Sequence, residues 1–225
     1  MTLQFDKISG NSFRVRRVPV RPRRGVYRNG FKRVFDTAAI LLTLPFTIPV
    51  ILTLALCVAL EGGKPFYRSP RVGRYGKVFG MLKLRTMVAD SDALLEQHLR
   101  DNPAARVEWD STQKLKNDPR ITRMGRFLRK TSMDELPQLW NVIAGDMSLV
   151  GPRPMMPDQQ HLYPGIAYYS LRPGLTGPWQ VTARNESEFC KRSEYDQAYD
   201  KELSLGTDIL LLIRTLGVVM KGTGY

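Results

Sequence analysis

Cysteine and histidine, which often announce metal or redox chemistry, are scarce here, with 2 of each among 225 residues. Cys57 and Cys190 have no metal-ligand spacing and form no disulfide framework, so a reduced, cytosol-facing protein is expected. His98 and His161 stand apart and read as surface or packing residues. Acids are also short: 21 Asp and Glu face 34 Lys and Arg, a net charge of +13. Such an excess needs an anionic partner: nucleic acid, anionic lipid or a phosphorylated substrate. There is no internal repeat and no clear second domain, and a chain of this length buries one good core.

Charge is absent altogether from Thr37 to Leu60. As a straight helix that stretch would run about 36 Å, enough to cross a bilayer. It starts too late and runs too long for a signal peptide, and its apolar residues cover every helical face, a pattern that belongs in lipid or a large core. Pro45 and Pro49 each remove a backbone donor and invite a bend, with Thr43 and Thr47 placed to satisfy the freed groups. Arg28, Lys32 and Arg33 precede the segment, and Lys64, Arg68, Arg71 and Arg74 follow it. Positive residues mark the cytoplasmic side and here they mark both ends. A re-entrant helix that dips in, bends and returns reconciles these facts; a spanning helix is the alternative. A second apolar stretch, Ile209 to Met220, is too short to span and either lies in the interface or packs into the core.

The first 36 residues hold ten cations, Arg14, Arg16 and Arg17 among them, against Asp6 and Asp36. Pro19, Pro22 and several glycines interrupt this arm, so disorder in water and attraction to anionic head groups are expected. DNA binding competes, but no groove-reading motif accompanies the arm, and nucleic acid is not the expected partner. The expected division is a basic arm over 1–31, a membrane helix over 32–62 and a cytosolic-face body over 63–225. The body reads as mostly helical α+β: strands at Pro65–Arg68 and Val78–Leu84, and helices at Ala89–Arg100, Thr122–Lys130, Pro137–Ile143 and Ser187–Leu203. A mobile loop is expected over Asp101–Lys116, and turns around Gly151–Pro157 and Pro173–Pro178.

Chemistry concentrates at Asp134–Glu135, between a basic run (Arg120, Arg123, Arg126, Arg129, Lys130) and Pro137. The bland reading is helix capping: Ser132-x-x-Glu135 matches a capping box, or Pro137 opens a helix and the acids precede it. Either geometry puts the pair at a helix N-terminus, where phosphate also binds. Nearby arginines would keep Asp134 ionised, and an ionised carboxylate can attack phosphorus to form an acyl phosphate. Asp134 and Glu135 together suit Mg2+, which takes one or two carboxylates plus substrate phosphates. Gly151–Pro152–Arg153–Pro154 adds a rigid turn presenting one guanidinium to phosphate.

Several stretches in fixed order carry a resemblance. They are Lys32–Arg33–Val34–Phe35–Asp36, Arg71–Val72–Gly73, Lys83–Leu84–Arg85–Thr86–Met87, Asp118–Pro119–Arg120–Ile121–Thr122, the Asp134–Gln138 block, Gly145–Pro154 and Arg172–Gly177. From about Gly30 onward the chain resembles the bacterial sugar transferase family, the monotopic polyprenyl-phosphate phosphoglycosyl transferases that begin exopolysaccharide and glycan assembly. The resemblance implies a re-entrant helix on the cytoplasmic face of the bacterial inner membrane. It also implies transfer of a sugar 1-phosphate from a UDP-sugar to undecaprenyl phosphate, with UMP released. Asp134 would be the nucleophile, Glu135 its partner, and both would hold Mg2+. Arg153 would contact the nucleotide or its phosphates, with Lys83, Arg85, Arg120 and Arg129 as further phosphate candidates. The chain departs from the pattern at Leu44–Pro45, where Ser-Pro is usual, and at Lys64–Pro65, where Gly-Pro is usual. A non-enzymatic, basic membrane-surface scaffold is the competing reading. The sugar and any homo-oligomer stay open.

Overall fold

The computed structural model describes residues 25–112, 115–182 and 189–220. Most of the basic arm, residues 1–24, lies outside the described residues. The rest of it is not coil: one turn over Tyr27–Phe31 runs directly into α1, Lys32–Leu60. The helix therefore begins earlier than the charge pattern predicts, because Tyr27, Arg28, Lys32 and Arg33 all find partners on the body. The Tyr27 hydroxyl donates to Asp208 at 2.7 Å, and Lys32 pairs with the same carboxylate. Arg28 pairs with Asp200 at 2.7 Å. Arg33 donates to the carbonyls of Val142 and Ile143.

Both ends of α1 are packed and its middle is bare. Ile40 sits in the main core with Leu139, Val142 and Met147. Leu54, Ala55 and Val58 join a second cluster with Leu84 and Leu128. No residue from Pro45 to Thr53 is buried. The threonine hydroxyls near the prolines bond to other carbonyls than the freed ones of Leu41 and Pro45. Thr43 donates to Ile40, and Thr47 to Thr43.

After α1, strands β1 (Phe66–Val72) and β2 (Val78–Leu84) form an antiparallel hairpin, with Val72 opposite Val78. The outer edge of β2 is closed by a side chain. Asn141 accepts from the Leu82 amide and donates to the Gly80 carbonyl, both at 2.9 Å, standing in for a third strand. Then come α2 (Ser91–Asp101) and α3 (Pro103–Thr112). The expected mobile loop after Asp101 is thus mostly helix, since Pro103 suits a first helical position and Ala104 and Ala105 extend it.

Helix α4 (Arg123–Thr131) is capped by Thr122, whose hydroxyl accepts from the Gly125 amide at 2.9 Å. Helix α5 (Gln138–Ala144) follows, then β3 (Ser148–Val150), α6 (Ala167–Ser170) and β4 (Gly174–Thr176). The two turn regions expected around 151 and 173 in fact flank a two-strand parallel ladder, Ser148 opposite Gly174 and Val150 opposite Thr176. Helices α7 (Pro178–Thr182), α8 (Arg192–Glu202) and α9 (Leu205–Met220) complete the body. The first residues of the helix expected from Ser187 fall outside the described set. Among the described residues the architecture is mostly helical with two small sheets, and one long apolar helix fits association with a membrane from one side.

Candidate active site

Helix α4 stops at Ser132, whose φ of 56° is left-handed and turns the chain out of the helix. Its side chain makes no capping bond, so the capping box is not formed. One tight turn, Met133–Glu135, leads to Pro137, which sits at the N-cap of α5. Met133 and Leu136 pack against the second cluster. With these apolar neighbours as anchors, the two acids meet the hairpin. The Lys83 ammonium on β2 lies 2.7 Å from Glu135 Oε1 and 3.4 Å from Asp134 Oδ2.

Asp134 is only 9% exposed. Burial lifts its carboxyl above the ordinary aspartate range; Lys83 opposes that shift and Glu135 adds to it. The principal cation acting on Asp134 is therefore Lys83, with Arg129 further down the order, and the net direction is upward rather than the arginine-driven downward shift expected. Burial works against the Lys83 ammonium as well, but Glu135 and Asp134 outweigh it and hold the group above the ordinary lysine range. A buried acid beside a firmly protonated amine is poised electrostatically, as reactive carboxylates are.

A second charged group gathers from three elements. Arg71 is the next-to-last residue of β1, Arg153 lies in the turn after β3, and Arg192 opens α8. The Arg192 guanidinium lies 4.0 Å from the Trp179 ring centre and 4.3 Å from that of Phe189, and Arg153 lies 5.9 Å from Trp179. The three guanidiniums are close enough to repel. Burial, then Arg153, depresses Arg71; burial, then Arg153, brings Arg192 down to about 10. The Nε atoms of both Arg71 and Arg192 are buried without a hydrogen-bond partner. The hairpin register, Arg71 opposite Phe79 and Tyr67 opposite Lys83, puts Arg71 and Lys83 on one face of the sheet, and Arg71 also feels the charge of Glu135. Clustered cations with spare buried donors form a site for a polyvalent anion.

The sequence-predicted residues divide accordingly. Asp134, Glu135 and Lys83 converge, and Arg153 belongs to the neighbouring cluster. Arg129 donates to the Thr86 hydroxyl at 2.9 Å and still acts on Asp134 through its charge. Arg85 is drawn to the C-terminus of α1, donating to the Val58 carbonyl at 3.1 Å and to that of Gly62. Arg120 is held bidentately by Asp118, at 2.8 and 2.7 Å, and lies over Trp109. Arg71, Trp179 and Arg192 gather from distant positions; Arg71 stood in the Arg71–Val72–Gly73 stretch without a role, and for the other two the sequence signal was a cation shortly after an aromatic, Phe189–Arg192.

Behind Arg192 lies Asp196, buried and accepting from the Tyr163 hydroxyl at 2.8 Å. Burial pushes its pKa from 3.8 up to about 7, against Tyr163 and Arg192, which pull it down. A raised acid contributes stability below its unfolded pKa and loses it as pH rises through the folded one. Thermal unfolding in neutral detergent should therefore show wild type losing stability relative to Asp196→Asn between about pH 4 and 7, then levelling. A constant difference across that window would show that Asp196 does not titrate there.

The bacterial sugar transferase profile matches residues 27–222. The chain is 49% identical over 195 residues to a UDP-galactose-lipid carrier transferase of Erwinia amylovora, covering 86% of this chain and 41% of that protein. It is 46% identical over 195 residues to an undecaprenyl-phosphate galactose phosphotransferase of Salmonella typhimurium, covering 86% and 41%. It is 42% identical over 207 residues to the exopolysaccharide production protein ExoY of Rhizobium meliloti, covering 91% and 90%. The chain thus spans about two fifths of the first two relatives and nearly all of the third. With the family profile matched over 27–222 and these identities beside it, the chain belongs to the bacterial sugar transferase family.

Proposed function

We propose that the protein transfers a sugar 1-phosphate from a UDP-sugar to undecaprenyl phosphate, releasing UMP, at the first membrane step of exopolysaccharide or glycan assembly. The observation that carries this reading is the buried Asp134 beside Lys83, on a hairpin face shared with Arg71, which belongs to a cluster of three arginines with no acidic partner in an ion pair among the described residues. The names of the Erwinia and Salmonella relatives, a UDP-galactose-lipid carrier transferase and an undecaprenyl-phosphate galactose phosphotransferase, support the same substrates.

In this reading Arg71, Arg153 and Arg192 bind the diphosphate and neutralise its charge, so that an anionic nucleophile can approach. Asp134 attacks the sugar-linked phosphorus, and the phosphoanhydride bond breaks with the electron pair leaving on UMP. Lys83 orients the carboxylate and offsets the charge that collects there. A phosphate oxygen of undecaprenyl phosphate then attacks the same phosphorus, and Asp134 leaves as a free carboxylate. Two adjacent carboxylates fit a hard divalent cation whose other ligands come from phosphate oxygens and water. Asp134 and Glu135 would hold Mg2+, which supplies further charge neutralisation for the diphosphate.

The bilayer arrangement proposed here rests on α1. Burial at Ile40 and Val58 with a bare stretch between, prolines in that stretch and cations at both ends support a helix that enters and leaves by the cytoplasmic face. The test of the reaction is UMP release from a panel of UDP-sugars, UDP-galactose and UDP-glucose first, with Mg2+ and with or without undecaprenyl phosphate. Turnover with one sugar that depends on the lipid is expected. Arg192→Gln should raise KM for that UDP-sugar by about tenfold to a hundredfold, the loss of one charged contact. Turnover without lipid dependence, or an unchanged KM, would refute the corresponding part of the proposal.

A further inference from the structure

Helix α4 has two unlike faces. Inward, Leu128 is fully buried in the cluster that holds Leu54, Ala55 and Val58 of α1. Gly125 lies so near the hairpin's end that a Cβ there would stand 2.1 Å from the Thr86 carbonyl oxygen. The Met124 amide donates to Glu61 just beyond α1, at 3.1 Å. Helix α4 is thus fixed to the point where α1 leaves its bare stretch. Outward, Arg123, Arg126 and Lys130 are exposed, and Phe127 stands among them, 49% exposed. Among the described residues none of these three cations forms an ion pair.

Cations around an exposed aromatic, beside an apolar helix end, match the head-group layer of an anionic membrane. Lys and Arg place charge at the phosphates while the ring enters the acyl boundary. We infer that the outer face of α4 is a docking surface for anionic phospholipid head groups, which fixes the carboxylate turn after α4 at its working distance from the bilayer. The inference rests on the membrane reading above. Its consequence is catalytic, because α4 passes through Ser132 directly into Asp134, and Arg129 on its inner side holds Thr86. Each cation near an anionic surface is worth roughly fivefold in membrane affinity.

The test uses the full chain in two formats. In native mass spectrometry from neutral detergent with equimolar phosphatidylglycerol and phosphatidylcholine, wild type should retain phosphatidylglycerol preferentially. The triple variant Arg123→Gln, Arg126→Gln, Lys130→Gln should lose that preference. In nanodiscs at fixed undecaprenyl phosphate, wild-type transfer should rise severalfold as phosphatidylglycerol replaces phosphatidylcholine, while the triple variant stays near the phosphatidylcholine rate. Lipid preference retained by the triple variant would overturn the inference. So would a preference lost instead on replacing Arg14, Arg16, Arg17, Arg21, Arg23 and Arg24 with Gln, which assigns it to the arm. Displacement of retained phosphatidylglycerol by undecaprenyl phosphate would overturn it too, by making the face an acceptor site. Absence of transfer from every sample would count against the proposed reaction, and lipid retention would still decide the role of α4.

Discussion

Asp134→Asn should reduce sugar-phosphate transfer at least about a thousandfold while the protein remains folded, since removing a covalent nucleophile typically costs that much or more. Asn is nearly the same size and keeps one oxygen, so the turn between α4 and α5 should survive. The fold does not depend on the charge: Met133 and Leu136, not the acids, anchor the turn. Burial already lifts the Asp134 carboxyl, so neutralising it removes a desolvation cost and should leave thermal stability unchanged or slightly raised. A loss of activity with stability held would separate chemistry from structure. A loss of both in proportion would return the pair to a structural role.

Gly174→Ala should destabilise the body by about 3 kcal/mol. A Cβ at Gly174 would lie 2.1 Å from the Gly151 nitrogen and 2.3 Å from the Thr176 oxygen, both backbone atoms. They cannot move without breaking the ladder, where the Gly174 amide donates to Pro152 at 2.8 Å and the Gly151 amide to Thr176 at 2.9 Å. The turn those bonds hold carries Arg153, so surviving protein should also bind UDP-sugar more weakly. Gly217→Ala is the matched control: a Cβ there meets nothing within 4 Å, and Ala favours the helix. Thermal unfolding of both variants in the same detergent distinguishes steric overlap from a general intolerance of substitution. Equal melting temperatures would remove the close approach from the account.

These two residues also show what was legible in the sequence. Asp134–Glu135 stood out because adjacent acids between a basic run and a proline are a local pattern. The hairpin and the long apolar helix were equally local, one from apolar and turn spacing and the other from missing charge. The pairing of β3 with β4 was not, because each strand has three residues and its partner lies far along the chain. Glycines 151 and 174 read as turn residues, yet their use is mutual contact. Arg192 meets Trp179 and Arg153 only through tertiary packing, so its distance along the chain hid it. The capping box failed for a local reason: Ser132 adopts a left-handed conformation to end α4 and cannot also cap the next turn. Arg85 and Arg120 show that a cation near a site is often claimed by a carbonyl or carboxylate first.

The central claim is the covalent role of Asp134, and trapping tests it most directly. Purified protein is mixed with Mg2+ and its UDP-sugar without undecaprenyl phosphate, quenched, and weighed intact. The account predicts a burst of UMP approaching one per active site and a mass increase of one sugar phosphate, mapped to Asp134 and absent from Asp134→Asn. Adding undecaprenyl phosphate should then discharge the adduct. UMP released only when the lipid is present, with no adduct at any time, would contradict the account and indicate direct transfer between two bound substrates.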